Sequence, residues 1–199
     1  DPSNNAFSTG AAVVVDSNTS YTVGEDDVAG YTQTSIDCVD DVDQSVVANP
    51  VSLNEGQSVT CTIYNDDDAP GLTLVKAVTN DHGGTAMPED FVLRLTGGAY
   101  TGTEAFATGA TPAVAANTSY TVGEDAMMGY EQTGIACIDN SDQSIVTHPV
   151  NLEEGQSVTC TISNDDIQPL LTLVKVVVNE DGGSAVPTDW TLTATGNPT

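Results

Sequence analysis

The chain has 199 residues, 29 acidic against 3 basic, and a formal net charge of −26. A surface this negative repels phosphate backbones and anionic lipid, which excludes nucleic acid and membrane surfaces as partners. No run approaches the roughly 18 consecutive apolar residues of a membrane span, so no membrane insertion is expected in this segment. Any secretion signal or cell-wall anchor is expected outside this window, because no basic stretch followed by an apolar one opens the chain. The apolar residues are mostly Val, Ala, Ile and Leu, set among Thr, Ser, Gly, Asn and Asp. That is the composition of short strands joined by turns, and almost no helix is expected.

In chain order, Asn18-Thr-Ser20 reads as a turn before Tyr21-Thr-Val-Gly-Glu25, and Asp40-Asp41-Val-Asp43 as an acidic loop. Cys38 and Cys61 stand 23 residues apart, as do Cys137 and Cys160. With no CxxC or Cys/His cluster nearby, the two equal gaps predict one disulfide in each pair and an oxidising compartment. Strands are predicted near 71–79, 91–96, 111–116, 118–124, 130–138, 144–151 and 156–164, with turns at Asn80-Asp-His-Gly-Gly84 and Asp139-Asn-Ser-Asp142. Seven short strands at this spacing indicate an antiparallel β-sandwich. A second sequon-like turn, Asn117-Thr-Ser119, falls before one of them.

Sliding the chain by 99 residues superposes Tyr21-Thr-Val-Gly-Glu25 on Tyr120-Thr-Val-Gly-Glu124 and Gly30-Tyr31 on Gly129-Tyr130. The same shift carries Gly56–Ile63 onto Gly155–Ile162 and Leu72–Lys76 onto Leu171–Lys175. A 99-residue period is a whole domain, so beads on a string are expected. Acidic, proline-containing stretches at Asp66–Pro70 and Asp165–Pro169 read as short linkers. The expected division is the back of one repeat over 1–68, a complete repeat over 69–167, and the front of another over 168–199. The end of one window would continue into the start of another, as in a piece of a longer periodic polymer or a subunit completed by its neighbour.

Strand alternation puts Leu72, Leu74, Lys76 and Val78 on one face, Val158, Cys160, Ile162 and Asn164 on another, and Tyr120, Val122 and Glu124 on a third. Each strand therefore sends one polar residue inward, and an unpaired buried charge costs several kcal/mol. Lys76 and Lys175 are the only lysines and occupy equivalent positions. Lysine on a first strand, Tyr-x-Val-x-Glu followed by Gly-Tyr, and asparagine ending the last strand together resemble the CnaB-type, prealbumin-like (SpaA-like) repeat domains of bacterial surface pilins and adhesins. The resemblance implies an all-β fold of tandem Ig-like or prealbumin-like sandwiches. It also implies an isopeptide bond from Lys76 to Asn164 with Glu124 relaying protons. In the partial repeats, Glu25 and Asn65 would await a lysine from upstream, and Lys175 an asparagine from downstream. In general, burial favours a neutral, nucleophilic amine and a protonated carboxyl group, and a folded core supplies effective concentration. Asp125-Ala-Met-Met128 and the cysteine pair depart from the family pattern. The competing reading is a buried Lys76–Glu124 salt bridge with Asn164 closing a turn.

Calcium is the one cofactor the carboxylates suggest, at the junction residues Asp66, Asp67, Asp68, Asp165 and Asp166, although the spacing is not that of an EF-hand. Solvated acidic turns are the alternative. His82 and His148 do not recur between repeats, so neither reads as a ligand or base, and Trp190, equivalent to Phe91, reads as core. No constellation for enzymatic turnover is visible. The expected function is an extracellular, cell-surface structural repeat that partners other copies of itself. The alternative is an adhesin repeat gripping a glycan or protein through Tyr100, Phe106 and Met127-Met128.

Overall fold

The structure is a computed structural model describing residues 6–196, so the domain bounds expected at residues 1 and 199 lie outside the described residues. The chain is all-β. Two short 3-10 turns, Pro88–Asp90 and Pro187–Asp189, are the helical elements among the described residues. The strands of the first part are β1 (Ser20–Tyr21), β2 (Tyr31–Asp40), β3 (Val46–Val47), β4 (Val51–Ser52) and β5 (Val59–Asp67). Those that follow are β6 (Gly71–Thr79), β7 (Leu93–Gly97), β8 (Tyr100–Thr101), β9 (Ser119–Glu124), β10 (Tyr130–Asp139), β11 (Ile145–Val146), β12 (Val150–Asn151) and β13 (Ser157–Asp166).

Strands β6 to β13 make two four-stranded sheets, ordered β11-β10-β13-β6 and β12-β9-β7-β8. Their alternating apolar residues meet face to face, and Leu74, Leu93, Leu95, Val150, Val158 and Ile162 are wholly removed from water. A fully buried aliphatic side chain of this kind contributes about 1.5–3 kcal/mol, which makes this layer the stabilising centre of the molecule.

The sandwich departs from the predicted pattern in four places. It is not purely antiparallel, because first and last strands β6 and β13 run parallel, from Gly71 opposite Ser157 to Thr79 opposite Asp165. Parallel neighbours need a crossover, and here the whole intervening domain provides it. The strand expected at 111–116 is replaced by isolated bridges, Gly71 to Ala113 and Leu74 to Ala110. Pro112, between them, has no N–H for a ladder. The strand expected at 144–151 splits into β11 and β12 at Pro149 for the same reason. Finally, β7 turns into the unpredicted β8 through Gly97 and Gly98. Gly97 has φ 126°, and a Cβ there would collide with the Ser119 carbonyl, so only glycine fits.

Residues 20–67 duplicate the pairings of the second half. Strands β3, β2 and β5 form a three-stranded sheet in the order of β11, β10 and β13, and β1 pairs β4 as β9 pairs β12. Even the irregularity between Gln33 and Ser35 recurs between Gln132 and Gly134. No strand among the described residues occupies, beside β5, the place that β6 takes beside β13. Among the described residues, 170–196 form no strand.

A buried lysine between glutamate and asparagine

Lys76 is the third inward residue of β6, after Leu72 and Leu74, and the alternation that buries the leucines buries it too. Its side chain has no solvent exposure, and that of Glu124 has 5%. Asn164, on the parallel neighbour β13, is 3% exposed. The amine lies 2.8 Å from Glu124 Oε2. It donates to Asn164 Oδ1 at 2.6 Å and to the Ile162 carbonyl at 3.3 Å. Two hydrogen bonds and one ion-pair contact compensate a buried ammonium, which would otherwise be prohibitive. Glu124 Oε2 makes no directed hydrogen bond of its own. The carboxylate therefore sits beside the amine, while the asparagine amide receives the amine from the other side.

Two aromatic residues complete the site, and the sequence motifs assign them no role in it. The amine stands 4.4 Å over the centroid of Phe91, which meets Tyr130 edge to face at 5.6 Å. A cation over an aromatic face is favourable, more so when both are desolvated. Tyr130 hydroxyl donates to Asn80 Oδ1 at 2.7 Å and accepts from the Ala86 amide at 2.8 Å, tying down the loop that carries Phe91. Recurrence is the available signal, since Gly-Tyr repeats and Phe91 returns as Trp190. The arrangement puts an amine, a carboxamide and a proton-accepting carboxylate in hydrogen-bond reach, which is the geometry of one acyl transfer.

The second expected trio does not meet within one chain. Glu25 and Asn65 are exposed, and no hydrogen bond or ion pair joins them to Lys175 among the described residues. Lys175 instead lies 4.5 Å over the Trp190 ring. Trp190 is 41% exposed rather than core, because the sheet that would cover it is not beside it. Both disulfides are formed, Cys38 to Cys61 and Cys137 to Cys160, each between directly opposed residues of antiparallel neighbours.

The junction carboxylates divide. Asp165 and Asp166 gather with Asp81 and His82, whereas Asp66, Asp67 and Asp68 join no such group among the described residues. Asp166 already accepts the amides of His82 at 3.0 Å and Gly84 at 2.6 Å. Burial pushes the Asp166 carboxyl group up, but those amides and the His82 ring outweigh it and hold the pKa below its ordinary value. Burial likewise pulls His82 down, yet Asp81 and Asp166 prevail and raise it. A donor set that includes an imidazole, with one carboxylate spent on backbone amides, does not fit the all-oxygen shell of calcium. His148 has a structural role: its Nε2 accepts the Val122 amide at 2.9 Å, as Asn49 Oδ1 accepts that of Val23 at 3.0 Å. The two sequon-like segments are turns, with Asn18 at φ 60° and Asn117 at φ 54°.

A family model described as a prealbumin-like fold domain matches three successive stretches, residues 1–63, 67–162 and 166–199. No curated protein matches the chain by sequence. Among solved structures, the major pilin from Streptococcus pyogenes is similar at 16% identity and a TM-score of 0.37, over 71% of this chain and 66% of that one. A major pilin of another Streptococcus pyogenes serotype is similar at 15% identity and a TM-score of 0.38, over 73% of this chain and 65% of that one. The chain thus spans just under two thirds of the length of these pilins. No helix among the described residues is long and apolar enough to cross a membrane.

Proposed function

Because the chain belongs to the prealbumin-like fold domain family, we propose that it is a structural repeat of an extracellular bacterial fibre or surface stalk, divided at 1–68, 69–167 and 168–199 and assembled head to tail. In this reading the Lys76 amine attacks the Asn164 side-chain carbonyl carbon. The new C–N bond forms, the bond to the amide nitrogen breaks, and Glu124 carries the proton from the amine to the departing ammonia. The product is a Lys76–Asn164 isopeptide that joins first strand to last. The trio is consumed once, so the chain has no turnover substrate. Lys175, Glu25 and Asn65 would repeat the reaction wherever two repeats bring them together.

The observation that carries this reading is the fully buried Lys76 amine, 2.6 Å from Asn164 Oδ1 and 2.8 Å from Glu124 Oε2. A purely structural ion pair would need neither the asparagine nor this degree of desolvation. The adhesin alternative gains little support, since Tyr100 and Phe106 stack on each other at 5.6 Å and pack against the core. Intact mass of the reduced chain tests the proposal. The expected result is loss of one ammonia in the wild type and none in Glu124→Ala, whereas the full unreacted mass in the wild type would overturn it.

A further inference from the structure

The acidic, proline-containing stretch Asp66–Pro70 reads in sequence as a linker, yet little of it is free. Asp66 and Asp67 belong to β5, and β6 begins at Gly71. Asp68 is held on both sides: its amide donates to the Gly30 carbonyl at 2.8 Å, and its own carbonyl accepts the Gly155 amide at 2.7 Å. Gly71 donates to the Gln156 carbonyl at 2.8 Å. One turn of the following repeat, at 153–156, therefore holds the connector at both ends. Only Ala69 and Pro70 lie between, and the pyrrolidine ring fixes φ at Pro70.

The same turn rests directly on the preceding repeat. Gly30 has φ 80°, and a Cβ there would stand 2.7 Å from Glu154 Cβ and 2.9 Å from the Glu154 carbonyl oxygen, so the contact admits only glycine. Charge does not hold this seam. Asp68, Glu153 and Glu154 line it together, but Asp68 accepts Thr32 Oγ1 of its own repeat at 2.7 Å and Glu154 accepts Asn117 Nδ2 of its own at 2.7 Å. The parts recur one period apart. Ile167 donates to the Gly129 carbonyl at 2.8 Å, as Asp68 does to that of Gly30. Gln57 Oε1 accepts the Asn54 amide at 2.9 Å, as Gln156 Oε1 accepts that of Glu153 at 3.0 Å.

We infer that the Gly30–Asp68 surface is the docking face for the 153–156 turn of the next repeat, and that this contact fixes residues 20–67 and 71–166 in one orientation, as a single rigid body. Domains joined by a short polar connector ordinarily move relative to one another, but backbone hydrogen bonds are directional, and here they pin both ends of the connector to the same turn. Two recurring motifs meet across the seam: Gly30 opens the Gly-Tyr pair, and Gly155 opens Gly-Gln-Ser-Val-Thr-Cys. The inference takes its repeat boundaries from the fibre reading and nothing from the cross-link. A chain that keeps its ammonia would refute the cross-link and leave the joint standing, whereas a swinging joint in a chain that has lost ammonia would refute the joint alone.

Residual dipolar couplings and amide exchange of the full chain provide the test. The expected wild-type result is one alignment tensor for the amides of β2 and β5 together with those of β6 to β13, and a protected Gly155 amide. Gly30→Val should split them into two tensors and lower Gly155 protection about tenfold, the loss of one backbone hydrogen bond. Gly109→Ala, at φ 83° with nothing within 4 Å, imposes backbone strain away from the seam and should keep one tensor. A wild type that needs two tensors, or whose Gly155 amide exchanges freely, would overturn the inference, and this measurement decides even if Gly30→Val fails to fold. So would a folded Gly30→Val chain that still fits one tensor, or a Gly109→Ala chain that splits in the same way.

Discussion

Residues 20–67 and 119–166 carry the same motifs and the same pairings, yet the same residues sit in different environments. Asn164 is 3% exposed, and its counterpart Asn65 faces solvent. Cys160 is wholly buried where Cys61 is half-buried, and Tyr130 is half-buried where Tyr31 is 45% exposed. The disulfide, the β-bulge and the acidic turns form alike in both, so they are local properties of this stretch of sequence. Burial of the lysine, glutamate and asparagine is not local. It arises only where a first strand lies alongside, which makes the lysine strand the element that converts a half-built sheet into a site.

Removing the lysine from each region should separate them most sharply. Lys76→Ala strips the partner from a buried carboxylate and should cost the sandwich about 3–5 kcal/mol, read as a lowered midpoint in chemical denaturation. Lys175→Ala, in a dilute monomer, should change that midpoint little, because the amine is only half-buried. An equal loss in both variants would break the comparison. Reduction comes next: each disulfide closes a loop of a size credited with about 3 kcal/mol. Cys61 is the more accessible thiol, so timed alkylation and peptide mapping should find Cys38–Cys61 opened before Cys137–Cys160.

A smaller difference is expected from the tyrosines. Tyr130→Phe loses two hydrogen bonds that hold the Phe91 loop and should cost about 1 kcal/mol, whereas Tyr31→Phe should be neutral in the monomer by thermal melting. The smallest effects are those of pH. His82 has its pKa raised in the folded state, so its stabilisation is complete below 6.5 and fades as pH rises through the higher folded value. Asp166 has its pKa lowered, so its contribution is complete above 3.8 and is lost as pH falls toward the folded value. Melting profiles of His82→Asn should lack the fall above 6.5, which has no counterpart in residues 20–67.

Much of this fold is legible in the order of residues alone, for physical reasons that differ by element. Period-two alternation locates β6, β9, β10 and β13, and the same alternation brings Lys76, Glu124 and Asn164 into one core. Equal cysteine spacing finds both disulfides, since opposed residues on a hairpin-like pair keep a fixed separation. Strand direction is not legible. Nothing in the alternation of β6 or β13 distinguishes a parallel neighbour from an antiparallel one, because both present the same face. The missing strand at 111–116 and the unforeseen β8 turn on Pro112 and on the Gly97-Gly98 corner, where one residue outweighs a favourable run. Phe91 does not stand out as part of the site because an aromatic residue on a core face already has a sufficient reason to be there.

The parallel alignment of β6 and β13 has a mechanical consequence. Tension applied along the chain enters the sandwich at Gly71 and leaves at Asp166, which lie at opposite ends of the paired strands. The two strands are therefore pulled past each other in shear, and the nine paired positions are loaded together rather than peeled apart one at a time. An antiparallel first and last strand would have placed both attachment points at one end and opened like a zip. The Lys76–Asn164 contact lies near the exit end of this shear path, so a bond there would route the load across the sheet and shelter everything between residues 77 and 163.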